Sequence, residues 1–311
     1  MNLLRKRPVA IVISACIVLF SAVSMIARSP QGTEVTSPPP AHTEAVREEE
    51  PLTPTPPPPP DAVPLGTVSI SEQVLFEEQG VRLTARTIEE SWSGIDITVL
   101  IENDSDVPVT VQARNVSVNG FMFEDIAFSS SVTAGNRAND NITFLSSGFE
   151  RSGIETMGTI ELSFLVFHSD SWNDIFQTEP VVIETSAAGQ VMQAMPATIQ
   201  TIFEQDGVSV AFMGVEESWL GTDVVLFIMN DTDEVITVQT RDEAVNGHMV
   251  FGIMSATVMP GKVAVDTIGF GSWELERDNI TEIETVEFRL NISAGDSWSN
   301  AITTDIIQLV P

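Results

Sequence analysis

The 311 residues of the chain include 44 acidic and 14 basic side chains, which give a formal charge of −30 at pH 7. A charge of this sign and size argues against nucleic acid and anionic membrane surfaces as partners. Cys16 is the only cysteine, so no disulfide can form within the chain. Its folded parts must therefore be held together by burial of apolar side chains.

The N-terminus has the pattern of a membrane anchor. Three basic residues at positions 5–7 precede an uncharged run from Val9 to Ala27, which Arg28 closes. A run of 19 residues is long enough to cross a bilayer as a helix, and the basic flank stays on the cytoplasmic side. We therefore expect residues 1–28 to form a signal anchor, spanning at 9–27, in a single-pass cell-membrane protein whose C-terminal bulk is extracytoplasmic.

Two other interpretations of this segment stay open. It can be a signal peptide that is cleaved near Ser24 or Ala27. It can also be a lipoprotein signal processed at Cys16, because Ile13-Ser14-Ala15-Cys16 resembles a bacterial lipobox. The chain stays apolar for eleven residues beyond Cys16, which favours the retained anchor.

Residues 29–65 have the composition of a disordered stalk. They include the proline runs Pro38–Pro40 and Pro56–Pro60 and the acidic run Glu48–Glu50. Such a segment cannot bury enough apolar surface to fold. Proline runs favour extended polyproline II, so the stalk could reach on the order of 100 Å from the membrane. The alternative role is a proline-motif docking site.

The rest of the chain contains an internal sequence repeat. Residues 89–122 recur at 216–249, with an offset of 127 that falls to 126 after Asn119-Gly120. Self-similarity over more than a hundred residues indicates duplicated domains, each of an ordinary size for one core. We expect repeat 1 at 66–187, a linker at 188–197 and repeat 2 at 198–311.

The pattern within one repeat predicts an all-β fold. Ile95, Ile97, Val99 and Ile101 alternate with residues of the opposite face, as in a strand with one buried face. Strands are predicted in repeat 1 at 74–77, 81–90, 95–102, 109–118, 121–128, 137–144, 156–168 and 177–185. Short strands at this spacing predict two tandem antiparallel, immunoglobulin-like β-sandwich domains.

Three local signals refine this prediction. Asn119-Gly120 between apolar runs predicts a two-residue hairpin turn, which needs positive φ at both positions. A change of phase near Arg114-Asn115 predicts a bulge. Residues 147–153 predict a single helical turn.

Four short motifs carry a resemblance to a known kind of module. They are Ile-x-Asn-Asp-x-Asp at 101–106, Thr-Val-Gln-x-Arg at 110–114, Val-Asn-Gly at 118–120 and Asp-Ser-Trp at 170–172, each repeated in repeat 2. Together they resemble an uncharacterised tandem module of membrane-anchored proteins exported by Gram-positive bacteria. The resemblance implies immunoglobulin-like sandwiches behind a membrane segment and a linker, and it implies no catalytic residues.

Acidic and amide side chains gather at one predicted end of each sandwich. If successive strands alternate in direction, the loops after the third strand and before Trp172 lie together. Carboxylate and amide oxygens are ligands that calcium prefers, although the same residues also populate ordinary turns. The turn interpretation is the one we favour. The candidate calcium ligands are Asn103, Asp104, Asp106 and Asp170 in repeat 1, and Asn230, Asp231, Asp233 and Asp296 in repeat 2.

Three tryptophans are candidates for partner binding. Trp92 and Trp219 lie in the Glu-Glu-Ser-Trp-x-Gly turn of each repeat. Each can cap the core with its indole, which we favour, or stand exposed as an anchor for a protein or sugar. Trp273 aligns with Ser147 and so belongs to repeat 2 alone, which favours exposure.

No catalytic or cofactor-binding constellation appears in the sequence. There is no nucleophile elbow, no phosphate-binding glycine loop and no Cys/His cluster. We therefore expect a non-catalytic, envelope-anchored binding or structural protein without a cofactor, whose partner is an envelope or extracellular protein or glycan. The alternatives are an enzyme or accessory protein acting on envelope carbohydrate, and a calcium-stiffened surface rod.

Overall fold

A computed structural model describes residues 64–191, 193–196, 199–295 and 301–311. These residues belong to one compact unit that runs from Pro58 to Pro311. The predicted anchor and nearly all of the predicted stalk lie outside the described residues, as does Asp296. Within the described ranges, no helix has the length and apolar character needed to cross a bilayer.

Repeat 1 consists of short strands and one short helix, after a 3-10 turn at Leu65–Thr67. Its elements are β1 (Gln73–Glu78), β2 (Val81–Ser91), β3 (Gly94–Asn103), β4 (Val109–Val118), β5 (Phe121–Met122), β6 (Ile126–Ala127), β7 (Ser129–Val132), β8 (Asn136–Leu145), α1 (Ser146–Ser152), β9 (Thr159–His168), β10 (Asp174–Gln177) and β11 (Val181–Glu184). One sheet has the order β1-β2-β3-β8-β6, and the facing sheet is built around β4 and β9.

Repeat 2 follows the same plan. Its elements are β12 (Gln200–Gln205), β13 (Val208–Glu217), β14 (Gly221–Asn230), β15 (Ile236–Val245), β16 (His248–Met249), β17 (Gly252–Ile253), β18 (Ser255–Val258), β19 (Lys262–Gly271), α2 (Ser272–Arg277), β20 (Val286–Ala294), β21 (Ile302–Thr303) and β22 (Ile307–Leu309). One sheet contains β12-β13-β14-β19, with β17 on β19, and the other is built around β15 and β20.

Two apolar cores lie between these sheets, one in each repeat. The first is filled from β3 by Ile95, Ile97, Val99 and Ile101, all buried, while the residues between them are half-buried. This is the alternation expected of strands with one face toward a core. The prediction of a β fold with sandwich-like sheets is therefore confirmed.

The two repeats share one continuous sheet. Phe121 of β5 pairs in parallel with Val263 of β19, and the Val263 amide donates to the Gly120 carbonyl at 3.1 Å. The Phe121 ring lies 6.2 Å from that of Phe227 in β14. Across the same contact, Lys262 Nζ lies 2.8 Å from Glu161 Oε2.

The outer face of the β13–β14–β19 sheet is apolar and packs against repeat 1. Ala211 and Phe227 on this face are buried within the core of repeat 1, and partly buried neighbours surround them. The corresponding face of repeat 1 is polar, because Arg137 pairs with Glu102 at 3.1 Å and Arg86 donates to Asn139 at 3.1 Å. One end of repeat 1 thus covers one side of repeat 2.

Most local predictions are confirmed. Asn119 and Gly120 have φ of 53° and 85°, as the hairpin turn requires. The register of β4 with β9 shifts between Arg114 and Ser117, where the bulge was expected. The helical turn is α1, which ends at Gly153 in the left-handed conformation (φ 63°).

Two strand predictions were wrong in detail. The segment 121–128 is not one strand, because β5 pairs with β4 whereas β6 crosses to the other sheet and pairs with β8. The segment 177–185 is not one strand either, because it holds the last residue of β10, Gln177, and then β11, which pair with β9 in separate registers. In the first place the chain changes partner strand within a few residues, and in the second the strand is interrupted while both pieces stay paired with β9. Periodicity alone reveals neither feature.

Candidate binding surface

The tryptophan turn joins the second and third strands of each sandwich. In repeat 2 the Ser218 amide donates to the Gly221 carbonyl at 2.7 Å, which closes the turn around Trp219 and Leu220. Gly221 has φ 157°, and a Cβ there would overlap the Phe270 carbonyl oxygen. Glycine is therefore required, because the turn lies directly against the neighbouring strand.

The prediction that Trp92 and Trp219 cap the cores is wrong, whereas Trp273 is exposed, as expected. Trp92 is 94% exposed, Trp219 is 85% exposed and Trp273 is 66% exposed. The indoles of Trp92 and Trp219 project into solvent from the tight turns, and that of Trp273 projects from α2. The alternative interpretation, an exposed aromatic side chain, is the one that the structure has.

Repeat 2 exposes a set of large apolar side chains around its tryptophan turn. We call this set the apolar end of repeat 2. Two hydrogen bonds to the Leu220 carbonyl, from the Ser272 amide at 2.8 Å and its hydroxyl at 3.0 Å, hold α2 beside the turn. The apolar end comprises Trp219, Leu220, Met249, Phe251, Ile253 and Trp273, all exposed.

Buried polar groups hold these side chains in place. The Phe251 amide donates to Oε2 of Glu274, a carboxylate on α2 that is itself buried, at 2.8 Å. Ile253 lies on β17 opposite Gly269. A Cβ on Gly271 would come within 2.9 Å of Trp273 Nε1, so the indole lies close over that glycine. The apolar end is thus built on hydrogen-bonded backbone rather than on a free loop.

Part of the corresponding end of repeat 1, the segment Phe121–Met122, is covered, although Trp92 is exposed. Phe121 is 4% exposed and its neighbour Met122 is packed against the core of repeat 2. Their counterparts in repeat 2, His248 and Met249, are exposed. The same position in the fold therefore forms a buried contact in repeat 1 and an open surface in repeat 2.

The structure places the single-residue deletion of repeat 2 within this end. Phe123 and Val250 make equivalent backbone bonds, to Val116 and Glu243, and β6 and β17 pair with equivalent residues of β8 and β19. Two residues, Glu124 and Asp125, therefore stand where repeat 2 has only Phe251. Repeat 1 is acidic where repeat 2 is aromatic.

The acidic pair of repeat 1 faces carboxylates of repeat 2. Glu124 keeps an exposed edge, but withdrawal of its carboxylate from water and the nearby charge of Asp266 raise its pKa to about 7. Withdrawal from water also raises the pKa of Asp266. Arg151 of α1 lies 3.2 Å from Asp125 and partly offsets these shifts.

The predicted calcium ligand Asn103 is committed to the backbone. It is fully buried, and its Nδ2 donates to the Val107 and Val132 carbonyls at 2.8 and 3.0 Å. Its Oδ1 accepts from the Ser105 amide and hydroxyl. An oxygen that accepts two hydrogen bonds has no lone pair left for a metal. Asn230 makes the same four bonds in repeat 2.

The acidic neighbours of these asparagines point outward. Asp104, Asp106 and Asp170 in repeat 1 are exposed, as are Asp231 and Asp233 in repeat 2. Among the residues that the structure describes, no group of three or more histidine, cysteine, aspartate or glutamate side chains has metal-binding geometry. The arrangement fits turn residues around a buried asparagine.

One groove at the start of repeat 1 has no catalytic grouping in its lining. This open groove of about 550 Å³ runs between the start of repeat 1 and β11. Its lining combines hydroxyl, amide and carboxylate groups with aliphatic side chains and has no histidine, lysine or cysteine that could activate a nucleophile. The lining residues are Ser69, Ile70, Ser71, Gln73, Val182, Glu184, Thr185 and Ser186.

Comparison with known proteins gives only remote likenesses. No protein-family model and no curated protein matches the chain. The YadV chaperone structure is 11% identical over 69% of this chain and 92% of its own, with a TM-score of 0.21. The structure of a Salmonella enterica SafA pilin in complex with the SafB chaperone is 10% identical over 70% of this chain and 89% of its own, with a TM-score of 0.19. Red sea bream transglutaminase is 8% identical over 78% of this chain and 31% of its own, with a TM-score of 0.21. Scores this low bear on neither fold nor function.

Proposed function

We propose that this chain is a non-catalytic binding or structural protein of the cell envelope, and that the apolar end of repeat 2 is its binding surface. The observation that carries the proposal is the exposure of Trp219, Phe251 and Trp273 at one end of repeat 2, on hydrogen-bonded backbone. Trp and other aromatic side chains dominate the energetics of protein interfaces.

The size of this surface supports the proposal. The largest apolar patch on a typical monomer covers about 300–600 Å², and larger patches mark interaction sites. Three aromatic and three aliphatic side chains, each more than half exposed, reach on the order of 800 Å². In repeat 1 the segment Phe121–Met122, which is equivalent to His248–Met249, already makes an apolar contact with repeat 2.

Features of the N-terminal sequence support a location of this surface outside the membrane. The uncharged run at 9–27 and its basic flank fit a membrane anchor, and the proline-rich residues 29–65 fit a stalk. The duplicated motifs resemble tandem immunoglobulin-like modules of exported Gram-positive proteins. In this proposal the two repeats lie outside the membrane, where the acidic surface keeps them soluble.

Site-specific photo-cross-linking in whole cells tests the proposal. A photoreactive residue replaces Trp219 in the full-length chain, and the matched control replaces Trp92, which occupies the same turn in repeat 1. We expect protein adducts from position 219 and few from position 92. Equal yields from both positions, or none from either, would contradict a binding role for the apolar end.

Exposed indoles also suit stacking on sugar rings, so a glycan is the second candidate ligand. Incubation with purified cell-wall glycans distinguishes a glycan ligand from a protein partner. The account predicts no soluble product from these glycans, and product release would instead indicate the carbohydrate-active alternative. Retention of the wild-type chain on the glycans, lost in Trp219→Ala, would favour the glycan over a protein partner.

A further inference from the structure

We propose that the partner of the apolar end of repeat 2 is the same end of a second copy of this chain, so that the protein forms a two-fold symmetric dimer. This inference rests on the proposed function, because it names the partner of the surface described there. The dimer would place two repeat 2 units end to end, with Trp219 and Trp273 at the centre of the interface.

The area of the surface fits a dimer. Stable protein interfaces bury about 800 Å² on each partner. The six exposed side chains of the apolar end supply on the order of that area. The Ser272–Leu220 and Glu274–Phe251 hydrogen bonds fix the backbone that carries Leu220 and Phe251, so little backbone entropy is lost there on association.

The chemistry of the surface fits a second copy. In a two-fold interface the same patch meets itself, so it must be self-complementary. Apart from the two indole N–H groups, the side chains of the apolar end are uncharged hydrocarbon or thioether, which need no opposite charge on the partner. An apolar patch that meets itself satisfies this condition, whereas a patch of one charge would repel its copy.

A different contact between copies is disfavoured by the polar face of repeat 1. Within one chain, an end of repeat 1 covers the outer sheet face of repeat 2. Copying that contact between molecules would place the apolar end of repeat 2 on the outer sheet face of repeat 1. That face carries Arg86, Glu102 and Arg137, whose charged groups would lose water against an apolar surface. The end-to-end dimer avoids this cost.

The salt response follows from the surrounding charge. Glu216, Glu217 and Glu276 are exposed beside the apolar end, and the whole chain carries a formal charge of −30. Two such copies repel one another, and salt screens that repulsion while it leaves apolar contact intact. Association should therefore strengthen as ionic strength rises, which is opposite to the response of an interface between opposite charges.

Sedimentation velocity of the full-length chain over a concentration series tests the inference. The chain is held in a fixed low concentration of nonionic detergent to keep the N-terminal run soluble. We expect a monomer–dimer equilibrium that tightens with added NaCl. The double variant Trp219→Ala/Trp273→Ala should raise the dimer Kd by about 100-fold or more, since loss of one interface hot spot raises Kd by about 30-fold.

Trp92→Ala is the matched control, because it removes an equally exposed indole from the same turn of repeat 1. We expect its dimer Kd to stay within about threefold of wild type. Phe251→Asp is a second probe of the surface and should also raise the dimer Kd, because it places a charge in the apolar interface. Circular dichroism of each variant checks that its strands are kept. A wild-type chain that stays monomeric at ~100 µM, or a dimer that Trp92→Ala weakens as much as the double variant, would overturn the inference.

The outcome also separates this inference from the proposed function. Adducts from position 219 with a different protein, together with a monomeric chain, would overturn the dimer and leave the proposed function standing. Absence of both adducts and dimer would remove both. Adducts of twice the chain mass, together with the sedimentation result, would support both.

Discussion

Replacement of Asn103 by alanine tests whether the acidic loop ends are turns held by a buried amide. The side chain is fully buried and bonds two carbonyls, of Val107 and Val132, and two donors of Ser105. Each buried group left without a partner costs about 1–3 kcal/mol. Ser105 and Val107 are half-buried, so their freed groups regain some contact with water, and we expect Asn103→Ala to lower the free energy of unfolding by about 3 kcal/mol.

Asn103→Asp sharpens the test. It retains acceptor oxygens but removes both donors and places a charge where no water reaches, so we expect a loss of about 4 kcal/mol or more. Asp104→Ala is the control, because this exposed side chain should change stability by no more than about 0.5 kcal/mol. Urea unfolding measures all three.

Two results would refute this reasoning. One is an Asn103→Ala variant within about 0.5 kcal/mol of wild type. The other is a calcium-dependent rise in the unfolding midpoint of the wild-type chain, reversed by chelator, which would mean that the loop ends bind a cation.

Three further predictions follow from other contacts. Gly94→Ala should lower the free energy of unfolding by about 3 kcal/mol or more, because a Cβ there overlaps the Phe144 carbonyl oxygen. The control Gly135→Ala should lower it by about 1 kcal/mol, because Gly135 has φ 67° but open space around it. Thermal melts compare the two variants. Lys262→Met should weaken the contact between the repeats by about 1 kcal/mol, measured by urea unfolding, because its ion pair with Glu161 is mostly shielded from water. The pKa of Glu124 is raised from its ordinary value of 4.5 to about 7. Protonated Glu124 therefore stabilises the contact between the repeats fully below pH 4.5, and this stabilisation is lost as the pH rises through about 7. The protection of the β5 amides against hydrogen exchange, taken relative to the intrinsic exchange rate at each pH, should therefore fall across this range, and Glu124→Gln should remove this fall.

Much of the fold could be predicted from the sequence because the relevant physics is local. The alternation in β3, the Asn119-Gly120 turn and the α1 turn each depend on a few neighbouring residues. The split of 121–128 could not be predicted in this way, because β5 and β6 are fixed by partners in different sheets. Periodicity reports which face is buried, and it is silent on which strand lies beside it.

The contact between the repeats did have a sequence signal. In β3 apolar residues alternate with others, but the corresponding run from Val224 to Met229 in β14 is continuously apolar. A strand with both faces apolar is buried on both faces, and here repeat 1 covers the second face. The exposure of Trp219 had no such signal, because an indole in a tight turn suits either a core cap or an anchor.

Oxidation of two equivalent methionines tests most directly that one end of the repeat is covered and the other is free. Met122 and Met249 occupy the same position in the two repeats, one packed against the core of repeat 2 and the other 66% exposed. Dilute peroxide converts accessible methionine to sulfoxide, and mass spectrometry of the full-length chain at low concentration follows each site. The account predicts rapid oxidation of Met249 and protection of Met122. Equal rates at the two methionines would mean that repeat 1 does not pack on repeat 2, and would contradict the account.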